Sequence, residues 1–305
     1  MLLSARYLFS APLLALSLLV LGCTGSPSSK PVPDAPGVLP GPVAGTGQTL
    51  LPNGWKLSPA GVATALGDLP LNLQISPDGR LAAVVNAGWG QNSVQLLDVA
   101  TGRLLDTRVV PAAWVGLAFA PDGRSLYVSG GQHNRIHCFA VVGQQLRPDS
   151  ALVLGDKWPK QKIGVAGLAV DGRRNVLYAV TREDKSLYTI DLKTRRVVRT
   201  LKLPAEAYAA LLSPDGNQLY ISLWGGHAVV PYDIARQQLQ PSITVESHPN
   251  DMALTRDGRR LFVANANSNS VSVIDTRFGR VTETLNTALF PASPAGSTPN
   301  GVALS

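Results

Sequence analysis

Twelve side chains in this sequence have the types that recognition and catalysis use: Trp89, Asn92, Trp114, His133, Arg135, Trp158, Arg182, Glu183, Trp224, His227, His248 and Asn267. An aromatic ring supplies contact area and the amides, imidazoles and guanidiniums beside it fix orientation, which is how binding surfaces are built. Three of the four histidines are among them, but they are widely separated and lack ligand spacing, so no metal is expected. No His-Glu-x-x-His, Cys-x-x-Cys, Gly-x-Ser-x-Gly or Walker pattern occurs. Neither a catalytic residue nor a cofactor is therefore assigned.

A repeat positions these residues. Residues 250–275 read NDMALTRDGRRLFVANANSNSVSVID, and 72–98, 116–140, 167–191 and 209–233 share the pattern. The turn aspartates Asp78, Asp122, Asp171, Asp215 and Asp257 step by 44, 49, 44 and 42 residues. Each unit reads as four short strands bounded by Gly, Pro, Asn and Asp, as at 252–255, 261–264, 270–275 and 281–285. In Ser76-Pro77-Asp78-Gly79, Pro presets φ and Gly fits the fourth turn position. Carboxylates at such turns, and at third-strand ends (Asp98, Asp191, Asp233, Asp275), accept backbone N–H bonds, so they are structural. Four strands per unit at this period predict an all-β propeller of antiparallel blades. Small residues in the first strands (Gly116, Ala118, Gly167, Ala169, Ala209, Ala210) suit strands crowding toward an axis.

The phrases SPDGR-LAAVV, APDGRSLYVSG, SPDGNQLYIS and DGRRLFVANANSNSVSVID resemble the YVTN-repeat (YncE-like) β-propeller family over residues 72–305. The third repeat, with Val170-Asp171-Gly172, lacks the Ser-Pro pair, and a longer hairpin is expected there. LLPNGWKLSPAG leading into GDLPLNLQISPDGR also resembles the N-terminal part of bacterial proteins that join such a propeller to an alkaline-phosphatase-type phosphoesterase domain. That resemblance implies a seven-bladed ring when complete. Here five full repeats start near 72, 116, 166, 209 and 250, and residues 300–305 match the opening of a sixth. The expectation is a truncated product whose phosphoesterase domain would lie beyond Ser305.

Residues 1–22 have the form of a signal peptide, with Arg6 ahead of an apolar core at 13–21, too short to span a membrane as a mature helix. Val20-Leu21-Gly22-Cys23 resembles a bacterial lipobox, which implies lipid on Cys23. Residues 23–47 are rich in Pro, Gly and Ser and read as a tether. Residues 48–305 are assigned to the propeller, with 49–51, 55–57 and 62–66 as leading strands able to complete a blade. The implied location is the bacterial cell envelope, with the membrane engaged through Cys23.

Net charge is +7. Turns after first and third strands share one face, where arginines and aspartates interleave. That balance argues against nucleic acid and leaves weak attraction to an anionic surface. Cys138 stands alone and predicts no disulfide. The twelve side chains fall on the opposite face, where propellers bind partners. The leading reading is a lipid-anchored binding or scaffold module for a protein, glycan or small-molecule ligand. Two alternatives stay open. One is a lactonase-like hydrolase, for which Glu183, Arg182, His133 and Glu246 are the available groups, and the other is a nonfunctional fragment.

Overall fold

The computed structural model describes residues 39–304, except 59, 62, 289, 291–293 and 295–297. The signal-type segment, Cys23 and residues 24–38 of the tether lie outside the described residues. The chain divides into two compact units, residues 1–61 and 62–305.

In the first unit, β1 (Gly41–Val43), β2 (Gln48–Leu50) and β3 (Lys56–Leu57) form one antiparallel sheet. The pairing of the 49–51 and 55–57 segments is as expected. The end of the tether differs, because residues 41–43 supply a third strand opposite β2.

The second unit contains five antiparallel sheets in chain order, each running first strand to fourth. Blade 1 is β4 (Pro70–Ile75), β5 (Leu81–Asn86), β6 (Ser93–Asp98) and β7 (Leu104–Val109). Blade 2 is β8 (Leu117–Phe119), β9 (Ser125–Ser129), β10 (Arg135–Val142) and β11 (Gln145–Val153). Blade 3 is β12 (Val165–Asp171), β13 (Val176–Thr181), β14 (Ser186–Asp191) and β15 (Arg196–Lys202). Blade 4 is β16 (Ala210–Leu212), β17 (Gln218–Leu223) and β18 (Ala228–Asp233), with its outer edge split into β19 (Gln238–Leu239) and β20 (Ile243–Thr244). Pro241 lies at that split, where a residue without an N–H cannot continue the ladder. Blade 5 is β21 (Pro249–Leu254), β22 (Arg260–Asn265), β23 (Ser270–Asp275) and β24 (Arg280–Asn286). Among the described residues there is no α-helix, only 3-10 turns at Gly131–His133 and Trp224–Gly226. The fold is that of a β-propeller.

Side-chain alternation builds the core between blades. Along β9, Leu126 and Val128 pack toward blade 1 while Tyr127 packs toward blade 3. Along β13, Leu177 and Ala179 face blade 2 while Tyr178 and Val180 face blade 4. Along β17, Leu219 and Ile221 face blade 3 and Tyr220 faces blade 5. Inner strands are therefore apolar on both faces, and each fully buried Leu, Ile or Val contributes about 1.5–3 kcal/mol of burial. Residues 63–66, expected as a strand, form none; Leu66 packs on Ala82, Val84 and Leu97 of blade 1.

First strands lie close together. A Cβ on Gly167 would come within 2.7 Å of Ala209 Cα and Tyr208 O. Asn72 Nδ2 donates to Val115 O at 2.7 Å, tying blade 1 to the opening of blade 2. Residues 300–304 form no strand, yet they sit equivalently against blade 5. Asn250 Nδ2 donates to Asn300 Oδ1 (2.8 Å) and Val302 N to Asp251 Oδ2 (2.9 Å).

The repeated aspartates are turn formers. Ser76 Oγ, followed by Arg80, holds the Asp78 carboxyl down at about 2. Asp98, Asp191, Asp233 and Asp275 are also lowered, each by hydrogen bonds from the turn that follows it. Asp171 is the exception in placement. It occupies the position of Ser76, not of Asp78: Asp171 is the last residue of β12 and is paired with Val176, while Ser76 N bonds Leu81 O. Both pairs enclose a turn of the same length, so the third hairpin is not longer. Without a serine hydroxyl, the Asp171 carboxylate itself accepts Arg173 N (3.0 Å) and Arg174 N (3.1 Å). Asn175 takes the left-handed backbone position at φ 55°. Asp171 is 1% exposed and pairs with Arg174 Nη1 at 2.7 Å. Asp171→Ala leaves these donors unmet and is expected to cost about 2–3 kcal/mol in urea unfolding. The same change at exposed Asp122 should cost far less.

Candidate functional site

The loops joining second to third strands, and those entering each blade, enclose a cavity of about 280 Å³ between blades 1, 2 and 3. Its walls are Trp114, Trp158, Asn92, Gln132 and the Arg182–Glu183 pair. Its floor is made of small residues, among them Gly88, Ala113, Gly131 and Gly164.

Backbone hydrogen bonds set each wall. Trp114 N donates to Ser129 O, and Trp158 N to Gln132 O, both at 3.1 Å. Arg182 N donates to Gly164 O (2.9 Å) and Glu183 N to Ile163 O (3.0 Å). The clamp for the Trp158 loop is Asn134, fully buried with a left-handed backbone at φ 51°. Its Nδ2 donates to Asp156 O and Gln161 O, and its Oδ1 accepts Gly164 N. One amide therefore holds both ends of that loop. The short, polar Asn tolerates this conformation where a branched residue would not.

The polar groups of the cavity are unequally satisfied. Arg182 Nε meets Glu183 Oε1 at 2.9 Å. Trp158 Nε1–H is buried and has no acceptor among the described residues. An indole N–H is a donor only, and a buried donor without a partner costs about 1–3 kcal/mol. Lys162 Nζ stands 5.8 Å from the Trp158 ring centre. Burial, then Arg135 and Lys157, push His133 below the usual imidazole range. The surroundings of Trp158 are thus electropositive.

Arg182 also links the cavity to a second group. Its guanidinium lies 6.0 Å from the Trp224 ring centre. Trp224 meets His248 edge-on at 4.3 Å, and His248 lies 5.5 Å from His227. Ser247 Oγ and His248 Nδ1 are 2.7 Å apart.

Of the twelve residues read from sequence, Asn92, Trp114, Trp158, Arg182 and Glu183 line the cavity. Trp224, His227 and His248 form the adjoining cluster. His133 and Arg135 flank the cavity without lining it, and Trp89 and Asn267 stand exposed. Glu246 is exposed and away from the cavity, so the four groups weighed for a hydrolase do not converge. Among the described residues no three His, Cys, Asp or Glu groups are placed to hold a metal. Sequence reading put Asn134 on this face but left it out of the twelve, and it missed the glycines and alanines that line the cavity beside the tryptophans. The signal for the latter was small residues in the loops facing Trp114 and Trp158.

Comparison with known proteins agrees with this architecture. The family model described as lactonase, 7-bladed beta-propeller, matches residues 186–293. Hydrazine synthase subunit beta of Kuenenia stuttgartiensis is 36% identical over 239 residues, covering 68% of this chain and 53% of that protein. Antigen Lp49 of Leptospira interrogans is 23% identical over 192 residues, covering 61% of this chain and 39% of that protein. Among solved structures, a chain of Kuenenia stuttgartiensis hydrazine synthase superposes with a TM-score of 0.57 at 20% identity. It covers 71% of this chain and 66% of that one. This chain thus spans about half or less of the curated relatives' length. The solved structure supports the β-propeller fold and nothing finer.

Gly164 tests how the cavity is held open. Its φ is +68°, and a Cβ there would meet Glu183 Cγ at 2.9 Å. Gly164→Ala is expected to cost about 1–2 kcal/mol in urea unfolding. It should also displace Glu183 from Arg182, visible in a structure of the variant.

Proposed function

We propose that this chain is an exported, lipid-anchored β-propeller that binds a small ligand or glycan fragment in the cavity between its first three blades. The observation that carries the binding role is the cavity between blades 1, 2 and 3, whose lining brings together Trp114, Trp158 and the Arg182–Glu183 pair. Two aromatic walls with a few oriented polar groups are the usual make-up of a ligand pocket. The electropositive surroundings favour a ligand that is polar or anionic.

Residues 24–305 retain every described residue and suit the binding test. Cell-wall saccharide fragments and small organic acids titrated against tryptophan fluorescence should include a binder. Trp158→Ala, which removes one aromatic wall, should weaken it at least about tenfold. Unaltered binding in that variant and in Trp114→Ala would sink the cavity assignment.

A second reading is favoured by the lactonase-family match at 186–293. In it Glu183 and Arg182 would act on a lactone ring. Lactone hydrolysis by the same protein, lost in Glu183→Gln while the unfolding midpoint stays put, would put this reading first.

The anchor rests on the Val20–Cys23 motif and the Pro/Gly/Ser-rich stretch behind it. In cell fractionation the wild-type chain should pellet with membranes and Cys23→Ala should not. The resemblance of the region around Trp55 to phosphoesterase fusions supports reading this chain as the propeller part of such a protein.

A further inference from the structure

We propose that the turn tip of blade 5 is a docking surface for an anionic lipid membrane. The tip lies on the face opposite the ligand cavity and needs neither that cavity nor the Cys23 anchor.

Five arginines, Arg256, Arg259, Arg260, Arg277 and Arg280, are exposed there. Strand register puts Arg260, Asp275 and Arg280 side by side across β22, β23 and β24. Arg256, Arg259, Arg260 and Arg277 rim one shallow depression. Two carboxylates answer these five charges: Asp275, 3.1 Å from Arg277, and Asp257, 3.8 Å from Arg259. Arg256, Arg260 and Arg280 take part in no ion pair among the described residues. Phe278 projects from the same turn and is 65% exposed. The Arg277 and Arg280 guanidiniums lie 5.1 and 5.5 Å from its ring centre.

Blade 3 shows that charge alone is not the argument. Its turns are equally basic, but three of their four arginines, all except Arg196, are engaged by hydrogen bonds or ion pairs among the described residues. Arg173 donates to Asp215 O, Arg174 to Asp171 and Gly216 O, and Arg195 to Asp149. No aromatic residue stands at that tip. At blade 5 three of the five arginines take part in no ion pair among the described residues, and two guanidiniums lie against an exposed apolar ring. A soluble polyanion would use the charges and leave Phe278 in water. A lipid surface uses both, with guanidiniums on phosphates and the ring at the acyl boundary.

Residues 24–305 should sediment with vesicles containing phosphatidylglycerol and stay in solution with pure phosphatidylcholine. Arg256→Gln with Arg260→Gln should lower partitioning about 30-fold, since each basic side chain near such a surface is worth about a factor of five. Phe278→Ser should lower it about tenfold, and about 1 M salt should weaken it strongly. All three positions are exposed, and an unchanged urea midpoint confirms an intact fold. No sedimentation with anionic vesicles overturns the proposal, as does partitioning unaffected by the arginine changes. Full vesicle binding by Phe278→Ser, with heparin captured as tightly as by the wild type, assigns the patch to a soluble polyanion and also overturns it.

Discussion

The structure depends on how closely the first strands approach one another. Backbone meets backbone at Gly167, where even a methyl group would collide with Ala209. At that spacing, buried hydroxyls reach from one blade to the next: Ser129 Oγ donates to Val165 O and Ser222 Oγ to Asn250 O. These groups cannot separate without leaving buried carbonyls unmet, which costs more than the bonds contribute when made. The same spacing closes the gap between blades to the width of the side chains there. Leu126, Leu177, Leu219 and Leu261 are consequently fully excluded from water. Register follows from the same constraint, because a one-residue slip would exchange the residues facing the two neighbours.

Most of this was legible because each repeat restates it. The third strands at Ser93–Asp98, Ser186–Asp191 and Ser270–Asp275 have the bounds the pattern predicts. Each starts after a loop and ends on a turn-forming aspartate. First strands were less legible: β21 begins at Pro249, three residues before the apolar run, since its opening residues are held by bonds to the neighbouring blade. Asp171 misled because two roles share one residue type. Aligned on Asp-Gly, it matched Asp78, but it stands at the position of Ser76, and its carboxylate accepts the N–H groups two and three residues on. Alignment by residue identity cannot see that a side chain has moved along the turn. A buried polar residue ends four of the five second strands (Asn86, Ser129, Thr181, Asn265), with Ser222 one residue before the end of β17, and was equally visible, yet it reads as a loop boundary until its burial is known.

The candidate site was less legible because it lies where copies differ. Sequence placed the tryptophans, Arg182 and Glu183 on one face from topology alone. It could not say that only some of them meet. Trp89 projects fully into solvent while Trp158 is folded over Gln132, although both are single tryptophans in loops of the same face. The difference comes from Asn134, which has hydrogen-bond targets in the long loop after β11. The loop carrying Trp89 is fastened through Asp68 instead, which accepts Gly90 N at 3.0 Å. Trp158 becomes a wall because a buried polar group fixes the loop that carries it.

That arrangement bears on how a ligand would bind. Asn134 joins three backbone groups of one loop with a single buried side chain, and Gly164, at the end of that loop, accepts Arg182 N from the next blade. The positions of Trp158 and Glu183 are thereby coupled before any ligand arrives. A pocket whose walls are already ordered avoids about 0.5–1.5 kcal/mol for each side chain it would otherwise immobilise. Asn134 thus fixes in advance the spacing between an aromatic wall and the Arg182–Glu183 pair, and a ligand would meet both without reordering either.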